Sequence, residues 1–125
     1  MIYLTYADLL RIAERATHAQ ALIRDAGLLD AAAARPQSSA AGADAYPSLI
    51  EKAAALTHSI ARNHALVDGN KRLALAALIA FIGINGLRLT ATNDQAYSFI
   101  IDVAAGNLDD IATIADWIAL HSSPR

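Results

Sequence analysis

The sequence predicts an all-α fold: one domain over residues 1–125, built as a single compact bundle of about six helices around a buried central helix. Three observations predict it. The 125 residues suffice for one hydrophobic core and are too few for two ordinary ones. The chain is 55% hydrophobic, rich in alanine and leucine, with only three prolines, a composition that favours helices. Apolar residues also recur at helical spacing between successive N-cap signals.

The first helix opens at Thr5, an N-cap with Asp8 three residues on and Leu4 and Leu9 placed as a hydrophobic staple. Leu9, Leu10, Ala13 and Ala16 form its apolar stripe, with Arg11, Glu14 and Arg15 on the other side. Gly27 interrupts, and a short helix from Leu28 to Ala34 is expected to end before Arg35-Pro36. Residues 36–46, PQSSAAGADAY, are small and polar with no period, and read as a flexible connection. Ser48 and Glu51 then form a capping box behind Pro47. Leu49, Ala53, Leu56 and Ile60 carry that helix to Asn63, so His64 begins a turn. The next helix starts at Asn70 or Lys71, runs to Asn85 and stops at Gly86, a left-handed C′ position. It is apolar almost all round and is therefore expected to be the central helix.

Leu87 to Thr92 alternates as a short extended segment with no partner evident, so no sheet is inferred. Thr92 and Gln95 suggest another capping box, opening a helix that ends near Gly106. Asp109 or Asp110 starts the last helix, with Ile111, Ile114, Ala115 and Ile118 on one face and Trp117 as packing.

Composition also excludes function classes. The chain has no cysteine, which removes disulfides and thiolate metal sites and fits a reducing cytoplasm. A net charge of −2 argues against non-specific nucleic-acid binding, which needs a broad basic surface, so no nucleic acid is expected as a partner of the protein by itself. The opening MIYLTYADLL has neither the basic segment nor the apolar run of a signal peptide. The longest apolar run, Leu73 to Ile84, is 12 residues, short of the roughly 18 a membrane span needs. The expectation is a soluble cytoplasmic protein that does not engage a membrane. Scattered histidines with no HxxxH pair speak against zinc; His58 reads as structural, and His18 and His121 lie in polar helix-end contexts with no detectable chemistry.

Chemistry concentrates in the nine residues His64-Ala65-Leu66-Val67-Asp68-Gly69-Asn70-Lys71-Arg72. A histidine can accept a proton near neutral pH, and an aspartate can hold a hard divalent cation. Gly69 allows close backbone approach, and the free N–H groups and dipole of a helix start form a natural phosphate site. Taken singly, each residue has a simpler reading: His64 as a C-cap, Asp68 as an N-cap, Gly69-Asn70 as a turn, Lys71 and Arg72 as a solvated first turn. Positive charge in a first turn opposes the helix dipole, however, and that local conflict favours a bound anion.

These residues resemble the signature of the Fic/Doc family, His-x-Phe-x-Asp/Asn-Ala/Gly-Asn, followed in the Doc branch by Lys-Arg. Here it reads HALVDGNKR, with Leu66 where the family carries Phe. The flanks LLDAAAARPQ, YPSLIEKAAALTHSIARNH and RLALAALIAFIGINGLRL are similar as well. The resemblance implies that His64 is the general base, that Asp68 binds Mg²⁺ bridging the phosphates of ATP, and that Gly69 and Asn70 form an anion hole. It gives Lys71 and Arg72 the phosphate oxygens, and Arg62 matches an arginine of some Doc relatives that could assist. An exposed helix-end cation is the other reading of Arg62. In the wider Fic fold, a segment near residues 36–46 forms a flap that aligns the target chain.

AMP-transferring relatives read Gly-Asn-Gly-Arg-x-x-Arg, whereas this chain has Lys71 at the second glycine and Leu75 at the second arginine. The resemblance therefore implies a protein kinase that moves the γ-phosphate of ATP to a threonine of elongation factor Tu and halts translation. AMP transfer is the enzymatic alternative, and a non-catalytic module binding a phosphorylated ligand or partner protein is the other. Neither Glu14 nor Glu51 has Ser or Thr four residues earlier, so the intramolecular inhibitory motif of many Fic proteins is absent. The implied restraint is a separate Phd-like antitoxin whose C-terminal segment folds into a groove.

Overall fold

A computed structural model describes all 125 residues. Helix α1 spans Tyr6–Thr17 behind a complete capping box: Asp8 N–H donates to the Thr5 hydroxyl, and the Asp8 carboxylate accepts from Thr5 N–H. Helix α2 spans Ala26–Ala34, two residues longer at its start than expected. Asp25 caps it through Leu28 N–H, so Gly27 sits in the first turn, where no intrahelical N–H bond is lost. A 3₁₀ turn, Arg35–Gln37, follows at Pro36.

The segment expected to be a flexible connection is instead a tight hairpin, β1 (Ser39–Ala40) paired antiparallel with β2 (Ala43–Asp44). Ala41 and Gly42 both have positive φ, 52° and 80°, as a type I′ turn requires. A lysine fastens it to the body. Lys52 is only 2% exposed, and its ammonium donates to Pro36 O, Tyr46 O and Asp44 Oδ2 at 3.2, 2.6 and 3.1 Å. All three of its donors are thereby satisfied, which offsets the cost of burying the charge.

Helix α3, Leu49–Asn63, is capped by Ser48, whose hydroxyl accepts from Glu51 N–H and donates to the Glu51 carboxylate. Helix α4 spans Asn70–Ile84, with Asn85 as C-cap. It buries Leu73, Ala74, Ala77, Leu78, Phe81 and Ile82 but turns Ile79 and Ile84 outward, so an apolar circumference does not make it fully enclosed. The innermost helix is α3, which buries nine of its 15 residues against seven in α4 and packs on α2, α4 and the two helices that follow. The alanines at 53, 54, 55 and 61 explain why, since small side chains let several helices approach at once.

Strand β3, Leu87–Leu89, does have a partner. It pairs antiparallel with β4, Ser122–Pro124, so that Arg88 faces Ser123. Between them lie α5, Asn93–Ala105, with the Thr92–Gln95 capping box, and α6, Ile111–Leu120, capped by Asp110. Trp117 lies parallel to Phe99, ring centroids 3.8 Å apart, and His121 stacks on its other side. One hydrophobic cluster of 25 buried residues draws on all six helices. No helix is long and apolar enough to cross a membrane.

Candidate functional site

The connection between α3 and α4 is where the chemistry-bearing residues meet. His64 is the C-cap of α3 and takes a left-handed conformation, φ 50° and ψ 50°, which costs an L-residue about 1–2 kcal/mol. Surrounding contacts hold it there. Arg24 donates to the His64 carbonyl through Nε at 2.8 Å and Nη2 at 2.6 Å, and Nη2 reaches Asn63 O at 3.4 Å. The backbone N–H groups of Arg24 and Asp25 both donate to Ala65 O, and Val67 N–H donates to Leu22 O. Residues 22–25 thus lie along 64–67 as a short antiparallel rung, bridged at Ile23 and Leu66.

Leu66 is 2% exposed and contributes about 1.5–3 kcal/mol by its burial. Its backbone is fastened by the buried Asn70: Leu66 N–H donates to Asn70 Oδ1 at 2.9 Å, and Asn70 Nδ2 donates to Leu66 O at 3.0 Å. The Asn70 side chain is therefore the staple of the loop, and its backbone N–H is left open at the start of α4.

Gly69 precedes α4 at φ 91°, and a Cβ there would meet Thr17 Cγ2 at 2.7 Å, so only glycine fits between the loop and the end of α1. Asp68 Oδ1 accepts from Gly69 N–H at 2.9 Å. The other five helices each have a side-chain oxygen over their first turn, whereas α4 has none. The N–H groups of Asn70, Lys71 and Arg72 thus head α4 uncapped, with the dipole behind them. Lys71 and Arg72 are exposed and form no ion pair within the chain.

A cavity of about 310 Å³ is lined by His64, Val67, Asp68, Gly69, Asn70, Lys71, Arg72 and Tyr97. It gathers a proton acceptor, a carboxylate, two uncommitted cations and open helix N–H groups. Such a set can hold a polyanion and deprotonate a hydroxyl beside it. No three or more His, Cys, Asp or Glu side chains are grouped so that they could hold a metal ion by themselves. Asp68 is the one carboxylate on the cavity wall, which suits Mg²⁺ shared between one carboxylate, phosphate oxygens and water.

Arg62 stands apart from this cavity. Its guanidinium is paired with Asp109 Oδ1 at 2.9 Å, and that carboxylate also accepts from His58 Nε2 at 2.8 Å. Because Arg35 donates to His58 Nδ1 at 2.9 Å, the imidazole carries its hydrogen on Nε2. The reason for the displacement is a partner 47 residues away that holds the arginine toward the α5–α6 turn. His121 is likewise structural, donating through Nδ1 to Trp117 O at 2.8 Å, and His18 ends α1. Tyr97, 57% exposed, reaches the cavity from α5 without having been signalled by the motif. Its one mark in the sequence is an aromatic off the buried stripe of Ala96, Phe99, Ile100 and Val103.

The His58 hydrogen bond and the Arg62 charge hold the Asp109 carboxyl below its ordinary value of 3.8. A depressed folded-state value contributes stability that is fully present above the unfolded value and is lost as pH falls through the folded one. The Tm difference between wild type and Asp109→Asn should therefore be steady above pH 3.8 and shrink below it, as thermal melts at stepped pH would record. Added salt should reduce the difference, since Asp109 is exposed.

Residues 3–82, more than half the chain, match the Fic/DOC family. A protein from Mycolicibacterium smegmatis (strain ATCC 700084 / mc(2)155) named Toxin Doc is 50% identical over 111 residues, covering 89% of this chain and 81% of that one.

Proposed function

For a chain that belongs to the Fic/DOC family, we propose the activity of a Doc-type toxin: transfer of the γ-phosphate of ATP to a threonine hydroxyl of elongation factor Tu, arresting translation in the cytoplasm. One observation carries this reading most directly. Lys71 and Arg72, neither of them spent on a protein partner, sit with the uncapped start of α4 on the same cavity as His64 and Asp68.

In this reading His64 accepts the threonine proton as the hydroxyl oxygen attacks the γ-phosphorus and ADP departs. Asp68 would hold Mg²⁺, which neutralises phosphate charge. The N–H groups of α4 with Lys71 and Arg72 hold the equatorial oxygens, so positioning and charge do most of the work. Leu75, where AMP-transferring relatives carry an arginine, lines a different groove with Ile79, Leu87 and Leu89 and has no donor to grip outer phosphates. This supports the γ-phosphate, the most charged end of ATP, lying beside His64. A Phd-like antitoxin is the proposed restraint, in keeping with the relative's name and with the missing inhibitory motif.

The test offers the protein, Mg²⁺ and elongation factor Tu ATP labelled at either the α or the γ position. Label from γ alone on a threonine is the expected result. Label from α would make the protein an AMP transferase, and no label from either would leave a binding module.

A further inference from the structure

We propose that Arg24 is a positioning residue for His64, a role that rests on His64 being the base of the proposed transfer. The connection after α1 contributes no side chain to the cavity lining, yet it holds the loop that aims the base. Between Asn63 and Val67 the loop backbone is held at Asn63 O, His64 O, Ala65 O, both polar groups of Leu66, and Val67 N–H. All but two of these six groups are held by backbone groups or by the buried Asn70. The exceptions are the carbonyls of His64 and Asn63, and both are served by the Arg24 guanidinium.

The placement matters because His64 is the one loop residue in a conformation that L side chains disfavour. Rotation about its φ and ψ would swing the imidazole relative to Asp68 and the start of α4. Arg24 closes on the peptide oxygen that such a rotation would displace first. Its two-pronged approach fixes the orientation of that carbonyl as well as its distance, which a single ammonium cannot do. The guanidinium also brings positive charge to the last carbonyls of α3, the negative end of that helix. Arg24 is exposed and forms no ion pair with any carboxylate, so orienting this turn is its whole observed engagement.

The experiment compares wild type with Arg24→Met and Arg24→Lys by two readouts. The first, independent of any activity, is the Cα and Cβ chemical shifts of His64, which report its backbone conformation. In a folded Arg24→Met protein these should move away from left-handed values while shifts in α5 and α6 stay in place, and Arg24→Lys should fall between. If Arg24→Met fails to fold, the Arg24→Lys shifts decide. Left-handed His64 shifts retained in the folded variants would overturn the proposal. The second readout is steady-state transfer from γ-labelled ATP: kcat should fall about 10–100-fold in Arg24→Met with KM for ATP within about threefold, and the loss should vanish in a His64→Ala background. A uniform rise in KM with kcat intact would likewise overturn it. Moved His64 shifts in a protein whose wild type transfers no label would uphold the positioning role and defeat the γ-transfer reading instead.

Discussion

His64→Ala is expected to reduce phosphate transfer by about 10²–10⁴-fold, the usual contribution of a general base, while fold and nucleotide binding stay nearly intact. The separation of effects follows from how the structure engages this residue. His64 is exposed, its imidazole makes no hydrogen bond within the chain, and truncation opens no void in the core. What the fold uses is the His64 carbonyl, which accepts from Arg24, and alanine retains it. Those contacts and the Asn70 staple on Leu66 do not involve the imidazole, so the loop path through Ala65 and Leu66 should persist. The groups proposed to hold phosphate, Lys71, Arg72 and the N–H groups of α4, lie beyond Gly69 and are untouched. Circular dichroism and ATP titration check the first half of the expectation, and γ-label transfer checks the second. A folded His64→Ala protein that transfers label at the wild-type rate would remove His64 from the chemistry.

The helices with a complete local grammar were legible before the structure. Thr5 with Asp8, Ser48 with Glu51 and Thr92 with Gln95 each cap a helix where the spacing says they should. The cavity was legible for the same reason: seven of its eight lining residues are contiguous apart from the buried Ala65 and Leu66, so a linear pattern carries the arrangement. What could not be read was set by partners far along the chain. β3 finds β4 across the whole of α5 and α6. The small residues of 36–46 gain a hairpin because Lys52 reaches back to Pro36, Asp44 and Tyr46. Arg62 looks like a site residue by proximity to His64 and is drawn off by Asp109. Tyr97 and Arg24 arrive from other elements, and no spacing rule links either to the motif. The start of α2 is a local case: weight on Gly27 as a breaker hid Asp25 as a cap.

Asp68→Asn should weaken Mg²⁺-dependent ATP binding by at least about 10–100-fold, the loss that even outer-shell partners of metal sites produce when removed, and lower transfer with it. The substitution is informative because the structural alternative for Asp68 makes the opposite prediction. If the residue served only to order the start of α4, asparagine would replace it almost freely, since both side chains accept hydrogen bonds from backbone N–H groups. The structural duty of Asp68 is modest: Oδ1 accepts from Gly69 N–H at 2.9 Å, a bond that an asparagine Oδ1 can also accept. Asp68 places no oxygen over the N–H groups of Asn70, Lys71 or Arg72, and α4 begins without any side-chain cap. The variant should therefore melt within a degree or two of wild type. What it loses is the one negative charge on a wall that otherwise carries Lys71 and Arg72. A divalent cation there needs a carboxylate to offset repulsion from those cations, and the neutral amide offers only a weaker oxygen ligand. Without metal the same substitution has the reverse sign: removing the carboxylate should modestly strengthen binding of metal-free ATP, because a negative charge beside the phosphates is gone. Titrating ATP with and without Mg²⁺ into both proteins reads the two effects separately. Equal Mg²⁺ dependence in wild type and Asp68→Asn would show that Asp68 is no metal ligand.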